Sequence, residues 1–315
     1  MTTEYDRLRE ARFAKLTDEQ RQLLQFPDLV ALGVAGVRQV IEDGNRTMPV
    51  TPGVDWRDVE VMGPHGLVPV RIFEPRNTGG PLPIVVHTHS GGFIAGGGFD
   101  QWNGFDSAIA AGVPALVVHP DFRLPPEDRF PIGLEESWAV LRWAAAGGVG
   151  ERADTSKIAV GGGCTGGNMA AVLALMARDA GAPQLALQFL ESWPSDLRND
   201  SRSQYEFADG YGLRKSDGDF VTSAYLADPE DRWEWRASPL LAESMAAVAP
   251  ALITVGDWDI LRDEDVQYAN RLRDAGVPVE LHVDPERGHP GDPQVLMARL
   301  VDALRRALGS SVGTG

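Results

Sequence analysis

Apolar residues near the start of the chain recur at helical spacing. Val30, Val34, Val37 and Ile41 fall three or four positions apart, and Asp43-Gly44-Asn45 ends the run. Upstream, Thr17-Asp18-Glu19-Gln20 has the form of a capping box, in which a threonine hydroxyl and a glutamine side chain satisfy free N–H groups at a helix start. Residues 1–50 are therefore expected to be a helical segment apart from the core, either packing on it or giving one wall of a substrate pocket. From Asp55 the texture changes to short β-branched runs, predicting strands near 58–62, 68–74, 84–89, 115–119, 157–161, 185–190, 251–256 and 279–284, with helices in the intervals from about 134 onward. Such alternation predicts one α/β domain over 51–315, built on a mostly parallel eight-stranded sheet with helices on both faces. Ligands in such sheets bind beyond the carboxyl ends of the strands. Only Gly309 to Gly315 reads as a loose tail.

Chemistry concentrates in Ile158 to Ala170, I-A-V-G-G-G-C-T-G-G-N-M-A, which reads as strand, sharp turn, helix. Gly162-x-Cys164-x-Gly166 has the spacing of a nucleophile elbow, where the central residue sits at a strained tip and small neighbours let strand and helix approach closely. The usual serine is cysteine here. Cys164 is the chain's one cysteine, so no intramolecular disulfide or cysteine metal cluster is available to it.

Other strand ends supply complementary groups. After the third strand, His87-Thr88-His89-Ser90-Gly91-Gly92-Phe93 runs into a glycine-rich stretch whose backbone N–H groups can converge on a developing oxyanion. After the seventh, Gly256-Asp257-Trp258-Asp259 opens an acidic stretch, ordinarily a solvated loop and helix start, in which Asp259 is the candidate to orient a histidine. Beyond the eighth, Glu286-Arg287-Gly288-His289-Pro290-Gly291 places a histidine in a turn. The order nucleophile, acid, histidine is the one used by α/β-hydrolases.

Charge and composition narrow the partners. With 29 Lys and Arg against 45 Asp and Glu the formal net charge is −16, with no basic cluster, which argues against nucleic acid and anionic membranes. The charged M-T-T-E-Y-D-R-L-R-E start does not read as a signal peptide, and no apolar run approaches a membrane span, so a cytoplasmic setting is expected. The six histidines show no helical metal-ligand pair, and His87 with His89 alternates as a strand does, so neither metal nor cofactor is expected.

Taken together, Asp121-Phe122-Arg123-Leu124-Pro125-Pro126-Glu127, H-S-G-G-F, G-G-G-C-T-G-G-N, Ser238-Pro239-Leu240, Asp259-Ile260-Leu261-Arg262-Asp263-Glu264 and Ala275-Gly276-Val277-Pro278 resemble the matching blocks of the hormone-sensitive-lipase group of carboxylesterases, over about residues 55–305. The resemblance implies an α/β-hydrolase fold with a helical cap from the N-terminal segment and an insertion at about 195–235. It implies Cys164 as nucleophile, Asp259 as acid and His289 as base, with the N–H groups of Ser90, Gly91 and Thr165 as oxyanion donors. It also implies a homodimer as one assembly such chains form. The departures cluster at the reacting centre: H-S-G-G for H-G-G-G, G-G-C-T-G for G-D-S-A-G, and His289-Pro290-Gly291 for H-G-F.

A thiolate is intrinsically more nucleophilic than a serine hydroxyl and needs less help from a base. The chain thus reads as a hydrolase of an ester, lactone or thioester working through an acyl-thioester, with acyl transfer within reach. Dienelactone hydrolases resemble it in using Cys, Asp and His. Two other readings stay open: a lyase or cyclase without an acyl-enzyme, as in some plant carboxylesterase-like proteins, and a non-catalytic binding protein. Phe93, Glu191, Trp193 and Tyr211 are the candidate substrate contacts, and the aromatic-rich 205–235 segment suits a medium-sized, partly apolar small molecule.

Overall fold

A computed structural model describes residues 4–45 and 49–309; the expected tail past Gly309 lies outside the described residues. The chain opens with α1 (Glu4–Phe13), α2 (Asp18–Leu23) and α3 (Leu29–Asn45), then β1 (Val54–Gly63), β2 (Gly66–Pro75) and β3 (Leu82–His87). There follow α4 (Asn103–Gly112), β4 (Leu116–Pro120), α5 (Ile132–Ala145), β5 (Ala153–Gly163), α6 (Thr165–Ala180) and β6 (Leu185–Glu191). Two short helices, α7 (Arg202–Glu206) and α8 (Lys215–Tyr225), precede β7 (Ala251–Gly256), α9 (Arg262–Asp274), β8 (Val279–Asp284) and α10 (Pro293–Leu308). The sheet order is β1-β2-β4-β3-β5-β6-β7-β8, antiparallel for β1 with β2 and β2 with β4 and parallel from there on.

Strand alternation divides the apolar side chains between the two faces. Ile84, Val86, Val118, Ile158, Val160 and Ile253 point into a cluster with residues of α5, α6 and α9. Val85, Val117, Ala159, Phe189 and Leu252 point the other way, onto residues of α4 and α10. Burial on both faces explains why these strands read as continuous apolar runs.

A third cluster joins the N-terminal helices to the chain between β6 and β7 through Leu24, Leu29, Val37, Phe207, Tyr211 and Val221. The capping box at Thr17 forms, its hydroxyl accepting from Gln20 N at 3.2 Å. The N-terminus of α3 is capped from afar, because Asp217 Oδ1 of α8 accepts from Leu29 N at 2.9 Å. The expected stripe on α3 holds only in part. Gly33 takes φ 63°, ψ 177° and kinks the helix, which rotates the preceding turn out of register. Val37 is accordingly 1% exposed and Val30 50%.

Candidate active site

The strand β5 runs straight into α6 through Cys164, whose φ of 48° and ψ of −128° are far from any relaxed conformation for a non-glycine residue. Its neighbours make the turn possible: a Cβ on Gly162 or Gly166 would run into the carbonyl oxygen of Thr88, so the elbow packs against the loop after β3 only with glycine there. Side-chain hydrogen bonds lace the same two segments. Thr88 Oγ1 donates to Gly166 O at 2.8 Å, Ser90 Oγ to Gly163 O at 2.9 Å, and Phe93 N to Thr165 Oγ1 at 3.0 Å. Sequence reasoning found Ser90 and Thr165 as departures but not this lacing, which only the paired backbones reveal. The Ser90 hydroxyl is thereby committed to the elbow.

Around the elbow the N–H groups of Ser90, Gly91 and Thr165 donate to no acceptor among the described residues, and Ser90, Gly91 and Cys164 line one cavity. Gly91 has φ 136°, and a Cβ there would strike the Ala95 carbonyl, so the loop's sharp course demands glycine.

Asp259 follows β7 and is fully buried. Its Oδ1 accepts from Leu261 N at 3.0 Å, and its Oδ2 lies 3.1 Å from His289 Nδ1. The His289 ring lines the same cavity as Cys164, near enough for the sulfur to act on it electrostatically, and meets the edge of Phe26 at 5.8 Å between centroids. Burial works against a charge on His289, but Asp259 and the Cys164 sulfur outweigh it and hold its pKa well above the usual imidazole range. Cys164, Asp259 and His289, far apart in sequence, are thus brought into one chain of contacts.

The cavity above Cys164 measures about 420 Å³. The stripe on α3, which the sequence left between packing and pocket wall, does line it through Val37 and Ile41, joined by Val40 outside the stripe and by Phe26, Leu29, Trp102, Leu213 and Val221. Of the four candidate substrate contacts, Glu191 is on this wall. Phe93 stacks on Tyr225 at 3.8 Å, Trp193 meets Tyr268 edge-on at 4.8 Å, and Tyr211 packs among Phe13, Phe207 and Trp258, so these three are buried beside the cavity. The aromatic-rich 205–235 segment contributes Leu213 and Val221, both aliphatic, to the wall; of its rings, Phe207, Tyr211 and Tyr225 are buried off the cavity, whereas Tyr205 and Trp233 are exposed.

The acidic stretch after β7 differs from the solvated loop that its composition suggests. Glu264 and Asp265 are buried at the start of α9, and Asp265 Oδ2 accepts from Trp193 N at 3.2 Å. Burial, reinforced by neighbouring carboxylates, raises the pKa of both well above the ordinary range.

One group of described residues has the composition of a metal site: His87, Asp106 and His119, all buried, with donor atoms within 4.8 Å of one another. Asp106 Oδ2 lies 2.7 Å from His119 Nδ1, and Oδ1 lies 2.6 Å from His87 Nδ1. These are hydrogen-bond lengths, whereas two donors on a tetrahedral ion with bonds of about 2.1 Å stand roughly 3.4 Å apart. The trio is better described as a carboxylate held between two imidazoles.

Comparison with known proteins agrees with the fold. A family model described as the alpha/beta hydrolase fold matches residues 85–291. The chain is 38% identical over 256 residues to esterase LipI of Mycobacterium tuberculosis, covering 79% of this chain and 78% of that one. It is 32% identical over 232 residues to an ethyl acetate hydrolase of Pseudomonas putida, covering 70% of each. Among solved structures, a bacterial heroin esterase superposes with a TM-score of 0.86 at 29% identity, over 94% of this chain and 99% of that one. The chain belongs to the α/β-hydrolase fold family. None of its described helices is long and apolar enough to cross a membrane.

Proposed function

We propose that the protein is a carboxylic ester hydrolase in which Cys164, His289 and Asp259 act as nucleophile, base and orienting acid, beneath a cap formed by residues 1–50 and about 195–235. The observation that carries this reading is His289, bonded to Asp259 at 3.1 Å and standing beside the strained Cys164 at one cavity. The esterase names of its relatives support it.

The Cys164 thiolate attacks the ester carbonyl carbon, and the charge passes to the carbonyl oxygen, which the N–H groups of Ser90, Gly91 and Thr165 stabilise. The C–O bond to the alcohol breaks as His289, held in its tautomer by Asp259, gives that oxygen a proton. An acyl-thioester remains on Cys164. Water then attacks the thioester carbonyl with His289 taking its proton, the C–S bond breaks, and acid and thiolate are released. The largely apolar wall suits a medium-sized, partly apolar acyl or alcohol group. Hydrolysis of 4-nitrophenyl butyrate tests the reading: His289→Asn should lower kcat/KM by about 10³-fold or more, and a variant with wild-type turnover would refute it.

A further inference from the structure

Glu191 ends β6, and its backbone carbonyl accepts the Cys164 N–H at 2.8 Å, so its side chain starts beside the elbow. The carboxyl then bridges two other parts of the site. Oε1 accepts from Gly291 N, in the turn that carries His289, at 3.2 Å. Oε2 lies 2.5 Å from where a Cβ on Gly163 would be, so a side chain before Cys164 would push this carboxyl from its present position. Enclosed by protein, Glu191 opens to the cavity.

The other polar side chains on the wall are committed. Ser90 Oγ donates to Gly163 O at 2.9 Å, Trp102 Nε1 donates to Gly96 O at 2.8 Å, and Cys164 and His289 engage each other. Glu191 Oε2 receives no hydrogen bond from a described residue, and the described wall contains no Lys or Arg. Asp259 and Asp284 add negative potential around this carboxyl, offset by His289. An uncommitted carboxylate oxygen on a largely apolar wall without Lys or Arg, in a chain of net charge −16, favours a cation.

We propose that Glu191 determines specificity, its carboxylate selecting esters that carry an ammonium group a short distance from the scissile carbonyl and rejecting those that carry a carboxylate there. The inference rests on the esterase reading above and takes it to a substrate class. Burial raises the pKa of Glu191, while His289 and the Gly291 N–H pull it back; a bound cation favours the charged form further.

Two matched ester pairs test the proposal. One is butyrylthiocholine against its isostere with tert-butyl in place of trimethylammonium. The other carries the same two head groups at the end of the acyl chain of a 4-nitrophenyl ester. The cationic member should have the higher kcat/KM by about tenfold or more in at least one pair, as expected for a direct ion pair on a largely apolar wall. Glu191→Gln should bring that ratio to within about twofold of one. Ratios near one in the wild-type protein, or a preference that survives in Glu191→Gln, would overturn the proposal while leaving the esterase reading standing. Hydrolysis of none of the four esters would overturn both.

Discussion

The molecule holds two buried imidazole–carboxylate arrangements of similar composition. At the cavity, His289 faces Asp259 with one nitrogen and Cys164 with the other. In the core, His119 and His87 flank Asp106, and the far nitrogen of His119 is buried without a hydrogen-bond partner among the described residues. Beside that cluster His89 stacks between Phe122 at 4.2 Å and His119 at 5.6 Å, and burial with the adjacent His119 pushes its pKa down to about 3. The carboxylate in both places fixes an imidazole. The setting of the second nitrogen separates them: one meets a thiol at a cavity, the other meets packed side chains. A histidine–aspartate pair is thus a mechanical part whose use depends on what stands opposite it.

Substitutions should separate the two arrangements by the kind of effect as well as its size. The largest is expected from Cys164→Ala, which removes the attacking atom and should cut ester turnover by about 10⁴-fold or more; the readout is kcat for a 4-nitrophenyl ester. Asp259→Asn keeps the shape but offers His289 the wrong hydrogen-bond partner, with an expected loss of about 10²–10⁴-fold in kcat and little change in KM. Asp106→Asn should act on stability instead. Removing one partner of a buried charged network costs about 3 kcal/mol, or roughly 5–10 °C in Tm for a chain of this size, while kcat/KM per folded molecule changes far less than in Asp259→Asn. Equal losses of activity from Asp106→Asn and Asp259→Asn would dissolve the distinction.

The smallest effect concerns Glu264, whose carboxyl favours the neutral form in the folded state. Its folded pKa is raised, so the stability tied to the protonated group is full below the ordinary glutamate range and is lost as pH rises through the folded pKa. Glu264→Gln should therefore raise Tm by a few degrees at pH 8 and change it little at pH 5. The same shift at both pH values would mean that burial does not hold this carboxyl neutral.

Much of this was legible in the sequence, for identifiable reasons. The strands announce themselves because burial on both faces makes them continuous apolar runs, and the elbow because its glycines are forced by the Thr88 carbonyl. Cys164, Asp259 and His289 were reachable because a doubly wound sheet gathers its strand ends at one place. What sequence could not give is which way a side chain turns. Trp193 and Tyr211 sit at positions near the site yet face the core, whereas Val40 and Val221 face the cavity. Glu264 and Asp265 looked like a solvated helix start, because composition does not reveal that α9 begins beneath the chain around Trp193. The kink at Gly33 moved Val30 out of the stripe, and one glycine inside a helical pattern does not say whether it bends.

In the proposed reaction the thiol of Cys164 carries the acyl group. Intact-protein mass spectrometry, with acid quench within the first turnovers of 4-nitrophenyl butyrate, measures this directly. A butyryl adduct is expected that maps to the peptide containing Cys164, is released by hydroxylamine, and is missing in Cys164→Ala. Steady turnover with no adduct in the wild-type protein, and undiminished turnover in Cys164→Ala, would contradict it.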